Sequence, residues 1–133
     1  MTSSTADLVR RYWQLMASND FTSVGAVLAD DFVLEWPQSN ERIRGVERYA
    51  RMNREYVAHG RWRFTIVRLF GDATDAVSEV DVTDGVQRAK AISFFACANG
   101  RIARLVEFWP EPYLAQADRA HLVEPIEPRS KEP

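Results

Sequence analysis

The chain has 133 residues, of which 46% are hydrophobic and 27% are charged, so length and composition predict one globular domain. A net charge of -2 supplies no basic field for a polyanion and excludes the electrostatic footprint of a nucleic-acid-binding protein. The single cysteine, Cys97, excludes an internal disulfide, and neither it nor the two histidines stand at metal-ligand spacing. No apolar stretch approaches the ~20 residues that span a bilayer, and no secretory pattern opens the chain. We therefore expect a cytoplasmic protein with no membrane association, no metal and no cofactor.

The first half of the chain has the periodicity of helices. Residues 6–18 carry apolar side chains at helical spacing and predict an amphipathic helix. Residues 21–28 predict a second, shorter helix, and residues 32–36 predict a short strand. A polar loop follows to Arg44, and Gly45 opens a third helix whose predicted end is at His59-Gly60.

Beyond Gly60 the apolar period changes from 3.6 to 2. Strands are predicted over residues 62–70, 76–83, 86–98 and 101–109, and Asp84-Gly85 and Asn99-Gly100 between them are strong hairpin signals. The prediction is an α+β fold in which N-terminal helices cover one face of a curved antiparallel sheet. Residues 1–125 are expected to form the single domain, and the Pro-rich residues 126–133 are expected to be a disordered tail.

Glu107 interrupts a run that otherwise predicts a strand, in the stretch VEFWPEPY. Side chains alternate along a strand, so Glu107 shares a face with Leu105 and Trp109, and Val106 and Phe108 take the other. Glu107 therefore faces either water or a cavity that uses a charge.

The order helix, helix, short strand, helix and long antiparallel strands resembles the nuclear transport factor 2-like fold, in its SnoaL-like, or polyketide-cyclase-like, branch. The resemblance rests on RYWQLMASND, on LADDFVLEWP, on Gly45, and on NGRIARLVEFWP, which together span most of residues 6–110. It implies a cone-shaped fold with a pocket on the concave face. The superfamily holds isomerases, cyclases, hydrolases, lyases, binding modules and dimerisation domains, so fold alone does not give the function.

Comparison with the ketosteroid isomerases of this superfamily separates retained from replaced residues. Tyr12 matches their oxyanion-donor tyrosine. Trp36 stands where they have the general-base aspartate, and Ser93 where they have a second, acidic oxyanion donor. In the limonene-epoxide-hydrolase arrangement, Glu79, Asp81 and Glu107 would supply acids, but its orienting arginine has no match here.

Two hairpin registers are compatible with the turn sequences. Two-residue turns pair Asp81 with Arg88, Glu79 with Lys90 and Ile92 with Glu107. Three-residue turns pair Asp81 with Gln87, Glu79 with Ala89 and Ala91 with Glu107. Both registers place Glu79, Asp81 and Glu107 on one face. In the first the acids form ion pairs in water, and in the second they line a pocket.

The resemblance favours the pocket, and Trp109 beside Glu107 agrees with a pocket rim. Two functions stay open: an enzyme that acts on an apolar cyclic molecule by acid/base chemistry, and a non-catalytic ligand-binding or dimerisation module. For the enzyme, Tyr12, Asp81 and Glu107 are the catalytic candidates. Trp13, Tyr49 and Trp62 are expected in the core. The expected substrate-binding residues are Trp36, Met52, Tyr56, Glu79, Ser93, Phe95 and Trp109.

The outer face of the predicted sheet is too apolar to be left in water. Relatives of the fold commonly dimerise through this face, and the resemblance therefore implies a homodimer. The residues predicted to form the patch are Val80, Val82, Ile92, Phe94, Val106 and Phe108.

Overall fold

The computed structural model describes residues 4–127. Its first helix, α1 (Thr5–Ala17), begins after Ser4. The Ser4 side chain accepts a hydrogen bond from the Asp7 backbone N–H, one of the N–H groups of the first turn that have no partner within the helix. The helix buries an apolar stripe at helical spacing against the sheet. The predicted amphipathic helix is confirmed to within one residue at each end. The buried residues of the stripe are Val9, Tyr12, Trp13 and Met16.

The segment after α1 forms a 3-10 helix, which is more tightly wound than an α-helix, and the following strand starts earlier than predicted. Phe21–Val27 is a 3-10 helix, and it leads directly into strand β1 (Leu28–Trp36), which starts four residues before the predicted strand. The polar stretch before Gly45, predicted as a loop, contains strand β2 (Glu41–Arg44), antiparallel to β1. The pairing of Glu35 opposite Arg42 explains the strand, since Arg42 donates two hydrogen bonds to that carboxylate.

Helix α2 (Val46–Glu55) starts after Gly45, whose φ of 93° is a backbone conformation suited to glycine. The helix ends at Glu55, before the predicted His59-Gly60, because Tyr56 adopts extended backbone angles. Its buried side chains are Ala50 and Tyr49, and the Tyr49 ring packs against Phe32 of β1.

The predicted four-stranded meander is confirmed. It consists of β3 (Arg63–Gly71), β4 (Asp75–Thr83), β5 (Arg88–Ala98) and β6 (Arg101–Phe108). The whole curved, unclosed sheet has six strands in the order β2-β1-β6-β5-β4-β3. One pair, β1 with β6, is parallel, so the sheet is mixed and not wholly antiparallel as predicted. A 3-10 turn (Ala117–Arg119) follows the sheet.

Both predicted registers are wrong, for two local reasons. The β4–β5 connection has four residues because the buried Asp84 carboxylate accepts the N–H groups of Val86 and Gln87, which rounds the loop. The Asn99-Gly100 turn does have two residues, with φ angles of 54° and 74°. A bulge at Ala103 then shifts the β5–β6 ladder by one residue.

The one-residue bulge decides which face each acid occupies, because a shift of one residue reverses the faces. Ser93, not Ile92 or Ala91, pairs with Glu107, and Ser78 pairs with Ser93. These three residues share the inner face, which the helices cover. Val80 and Val82, predicted on the outer face, are buried on this inner face. The outer face carries Glu79, Asp81, Ile92, Phe94, Val106 and Phe108.

Two expectations concern features outside the sheet. In the described part of the chain, no helix is long and apolar enough to cross a membrane. Of the predicted disordered tail, residues 128–133 lie outside the described residues, and the exposed residues 126 and 127 form a bend.

Candidate functional site

A cavity of about 570 Å³ lies between the inner face of the sheet and the two α-helices. The volume is in the range of small-molecule sites. Its walls are mainly aromatic and aliphatic, and the chain's four tryptophans, Trp13, Trp36, Trp62 and Trp109, all contribute to them. A small group of polar side chains is set into this apolar lining.

Glu107 is the most unusual of those polar residues, because only 3% of it is exposed. Its Oε2 accepts a 2.7 Å hydrogen bond from the Ser93 hydroxyl, and its Oε1 accepts a 3.2 Å hydrogen bond from the Trp36 indole N–H. Burial raises the pKa of Glu107 above the ordinary glutamate value, and the neighbouring groups of Ser93, Trp36 and Trp109 oppose that rise. Within residues 4–127, no lysine, arginine or histidine forms a salt bridge with this carboxyl group.

Tyr12 of α1 and Tyr49 of α2 meet beside Glu107 and hydrogen-bond through their hydroxyl groups. Burial, the neighbouring Tyr49 and the nearby Glu107 charge all raise the pKa of Tyr12 well above that of a free tyrosine. Burial and Glu107 also raise the pKa of Tyr49. Both phenols are therefore neutral hydrogen-bond groups at physiological pH.

The position of Tyr12 is fixed by the packing of α1 on the sheet. Trp13, the next residue, donates a 3.1 Å hydrogen bond from its indole N–H to Ser78 of β4. Phe95 of β5 contacts the Tyr12 ring edge-on, with ring centroids 5.3 Å apart. These contacts on both sides hold the Tyr12 hydroxyl at the cavity.

Of the ten residues predicted for the site, the structure brings six to the cavity wall. Ser93 and Phe95 do not line it: both are buried behind the wall, Ser93 against Glu107 and Phe95 against Tyr12. They support lining residues, and the structure does not place them where the predicted substrate contact would be made. The six lining residues are Tyr12, Trp36, Met52, Tyr56, Glu107 and Trp109.

Glu79 and Asp81 were predicted as a substrate-binding and a catalytic residue, but the structure does not place them at the cavity. The bulge at Ala103 puts Glu107 on the opposite face of the sheet from them, and on the outer face Lys90 forms salt bridges with both, at 2.6 Å to Glu79 and 2.7 Å to Asp81. The hydrogen bond from Lys90 is the main cause of a lowered Glu79 pKa. The ion-paired alternative is correct for these two acids, although Asp81 pairs with Lys90 and not with Arg88.

Several lining residues were not expected to contact a ligand. Trp13, Tyr49 and Trp62 were predicted as core residues, and they do pack on the core, but they also line the cavity. Asn53 of α2 lines it as well. The signal for Tyr49 and Asn53 was present in the sequence, because both stand at helical spacing with Met52 and Tyr56 in the predicted third helix. In residues 4–127, no cluster of three or more His, Cys, Asp or Glu side chains forms a candidate metal site.

Comparison with known proteins places this geometry in a family. Residues 9–105 match the model of the SnoaL-like domain. A crystal structure titled "putative ketosteroid isomerase", from Kribbella flavida, has 35% sequence identity and a TM-score of 0.85, over 93% of this chain and 90% of that chain. No curated protein matches the sequence.

Two further structures extend the comparison. An LEH-like epoxide hydrolase from M. tuberculosis is 25% identical, with a TM-score of 0.64 over 78% of this chain and 80% of that one. An NTF-2 like protein of unknown function from Burkholderia xenovorans is 23% identical, with a TM-score of 0.74 over 91% and 94% of the two chains. The chain belongs to the SnoaL-like family of the nuclear transport factor 2-like superfamily.

Proposed function

We propose that this protein binds an apolar cyclic small molecule in the cavity and acts on it by general acid/base chemistry through Glu107. The observation that carries the proposal is the burial of this carboxyl group without a cationic partner in the described chain. Burying an unpaired carboxyl group costs free energy. Such groups concentrate at functional sites, where a shifted pKa serves proton transfer.

The neighbours of Glu107 suit it to move a proton. A raised pKa brings a carboxyl group closer to neutral pH, where it can both give and accept protons. Ser93 and Trp36 hold one carboxyl oxygen each, which fixes the orientation of the group at the cavity wall. Both features favour a positioned acid/base residue over a merely tolerated buried charge.

The tyrosine pair supplies the second part of the proposed chemistry. Each hydroxyl has one hydrogen, and the bond between Tyr12 and Tyr49 uses one of the two. The other hydrogen is available to an oxygen in the cavity. A donor of this kind in an apolar site stabilises negative charge that develops on a substrate oxygen.

The reaction class follows from what the cavity offers. Glu107 is the buried acid of the lining, since Glu41 and Glu111 are exposed. The family resemblance places Trp36 where the ketosteroid isomerases have their general base, so similarity to a protein described as an isomerase supplies no base for this chain. One acid/base group beside an oxygen-binding donor suits proton transfer next to a ketone or the opening of an epoxide. The epoxide hydrolase among the similar structures agrees with the second reaction.

The test uses two simple probes. For 1-tetralone in D2O, NMR measures the exchange of the hydrogens next to the carbonyl; for 1-methylcyclohexene oxide, chromatography measures diol formation. We expect the wild-type protein to accelerate one of these reactions and Glu107→Gln to lose that acceleration while still binding the probe. Binding of both probes with no acceleration of either would contradict the catalytic proposal and favour the non-catalytic binding module.

We also propose that the protein is a homodimer that pairs through the outer face of the sheet. The observation behind this is a cross-strand row in which Val77, Phe94 and Val106 are neighbours. Phe94 is 48% exposed, and Phe70, paired with Val77, is 64% exposed. An exposed apolar row of this kind is typical of an interface. The cytoplasmic location expected from the sequence stays a prediction.

A further inference from the structure

Asn53 presents an unused hydrogen-bond donor at the cavity. Within the described residues, its Nδ2 is shielded from solvent and has no hydrogen-bond partner. A buried donor without an acceptor destabilises the folded protein, and the cost disappears when an acceptor arrives. Asn53 lies in the last turns of α2, where it lines the cavity.

The surroundings of Asn53 indicate where that acceptor would lie. Asn53 approaches the Tyr49 hydroxyl closely enough to oppose the rise in the pKa of Tyr49. An amide nitrogen carries two hydrogens, so even if one turned toward Tyr49, the other would still lack an acceptor. Tyr49 in turn forms a hydrogen bond with Tyr12, and the charge of Glu107 contributes to the raised pKa of both tyrosines. A ligand atom that accepts from Asn53 therefore lies at the polar end of the cavity.

We propose that Asn53 selects ligands that carry an acceptor oxygen, such as a ketone or an ether oxygen, and holds that oxygen beside the tyrosine pair. The apolar part of the ligand then packs against the wall formed by Trp36, Met52, Trp62 and Trp109. This inference rests on the proposed binding function of the cavity. It adds a residue that determines ligand class and orientation, and it does not depend on whether Glu107 catalyses a reaction of the ligand.

The selectivity of a buried donor has a simple physical basis. An apolar ligand of the same shape would leave Nδ2 without a partner, and the bound state would keep the full cost of the unmet donor. An oxygenated ligand removes that cost and gains the hydrogen bond. Sites of this kind reject an analogue that lacks the hydrogen-bonding atom more strongly than apolar contacts can discriminate.

The experiment compares 6-fluoro-1-tetralone with 6-fluorotetralin, which lacks the ketone oxygen, and measures the affinity of each by 19F NMR titration. For Asn53→Leu we expect about tenfold weaker binding of the ketone and a hydrocarbon affinity within about twofold of wild type. Met52→Leu is the matched control, since it changes the neighbouring cavity-lining residue and removes no donor; it is expected to keep the wild-type ratio of the two affinities. Asn53→Ala serves as a second variant if the leucine does not fit.

The melting temperature without ligand separates this role from a structural one. Replacing an unmet buried donor by an apolar side chain of similar size is expected to raise the melting temperature of Asn53→Leu. A structural asparagine would give the opposite change. Unaltered selectivity in both Asn53 variants would overturn the inference and leave the proposed chemistry intact. Binding of the probes without turnover would contradict the proposed catalysis by Glu107 but not the proposed role of Asn53. Failure of the wild-type protein to bind either probe would contradict both proposals.

Discussion

Ser93 lies directly opposite Glu107 in the β5–β6 ladder and donates a 2.7 Å hydrogen bond to its Oε2. Both residues are buried on the inner face, with Ser93 fully shielded and Glu107 only 3% exposed. The bulge at Ala103 creates this pairing, since without it Ile92 would lie opposite Glu107. A single extra residue in β6 therefore gives the carboxyl group its hydrogen-bond donor.

Glu107→Gln is expected to change how stability depends on pH. Because the pKa of Glu107 is raised in the folded protein, the folded state binds this proton more tightly than the unfolded state. Stability from this group is then complete below the ordinary glutamate pKa and is lost as the pH rises through the raised folded pKa. Each tenfold difference in proton affinity between the two states corresponds to about 1.4 kcal/mol. Urea unfolding of wild type between pH 4 and 9 is expected to show the loss, and the variant to lack it; parallel curves would contradict the prediction.

Ser93→Ala is expected to increase the loss of stability that accompanies a rise in pH. The Ser93 hydrogen bond lowers the Glu107 pKa, so its removal lets burial raise the pKa further. Unfolding curves of the variant are expected to lose more stability between pH 4 and 9 than those of wild type. Ser78→Ala is the matched control, because Ser78 is an equally buried serine on the neighbouring strand that bonds Trp13 and not Glu107. If both serine variants show the same pH dependence, the Ser93 hydrogen bond does not act on Glu107.

The Tyr12–Tyr49 contact is expected to behave as one interaction. Tyr12→Phe and Tyr49→Phe each remove a partner and leave the other hydroxyl in the buried site, at a cost of about 1 kcal/mol in unfolding free energy. The double variant is expected to lose less than the sum of the two single losses, because the hydrogen bond can be removed only once. Chemical denaturation at one pH measures all four proteins. Additive losses would show that the hydroxyl groups are not coupled.

The proposed dimer gives a prediction that does not involve the cavity. Phe94→Asp places a charge in the outer apolar row and is expected to convert the dimer to monomer in analytical ultracentrifugation. Val86→Asp is the control, since Val86 is also an exposed apolar residue, at 69%, but lies in the β4–β5 loop. A monomeric wild-type protein, or a dimer unaffected by Phe94→Asp, would contradict pairing through this face.

The meander could be predicted from sequence because its signals are local. Asp84-Gly85 and Asn99-Gly100 mark turns through the backbone preferences of two or three residues, and alternation marks the strands. The register could not be predicted, since it depends on the buried Asp84 carboxylate and on the bulge at Ala103. The bulge puts Glu107 and Asp81 on opposite faces of the sheet, which is why one predicted acid lies at the cavity and the other in a surface ion pair.

The cavity wall could be predicted in part. Trp36, Trp109 and Met52 were expected there because they match cavity positions of the resembled fold, and the structure places them on its wall. Tyr49 was assigned to the core because an aromatic residue at helical spacing usually packs there. The structure shows that it does both. The sequence could not predict that the Asn53 side-chain N–H group lacks an acceptor, because this depends on where the surrounding acceptors lie in the folded chain.

The proposed function depends on Glu107 being a buried acid with a raised pKa at the cavity wall. The most direct measurement is a 13C NMR pH titration of protein labelled at glutamate carboxyl carbons, with the Glu107 signal assigned by its absence in Glu107→Gln. We expect the midpoint of the Glu107 titration to lie above the ordinary glutamate value. A Glu107 midpoint at or below the ordinary glutamate value would contradict a buried acid with a raised pKa.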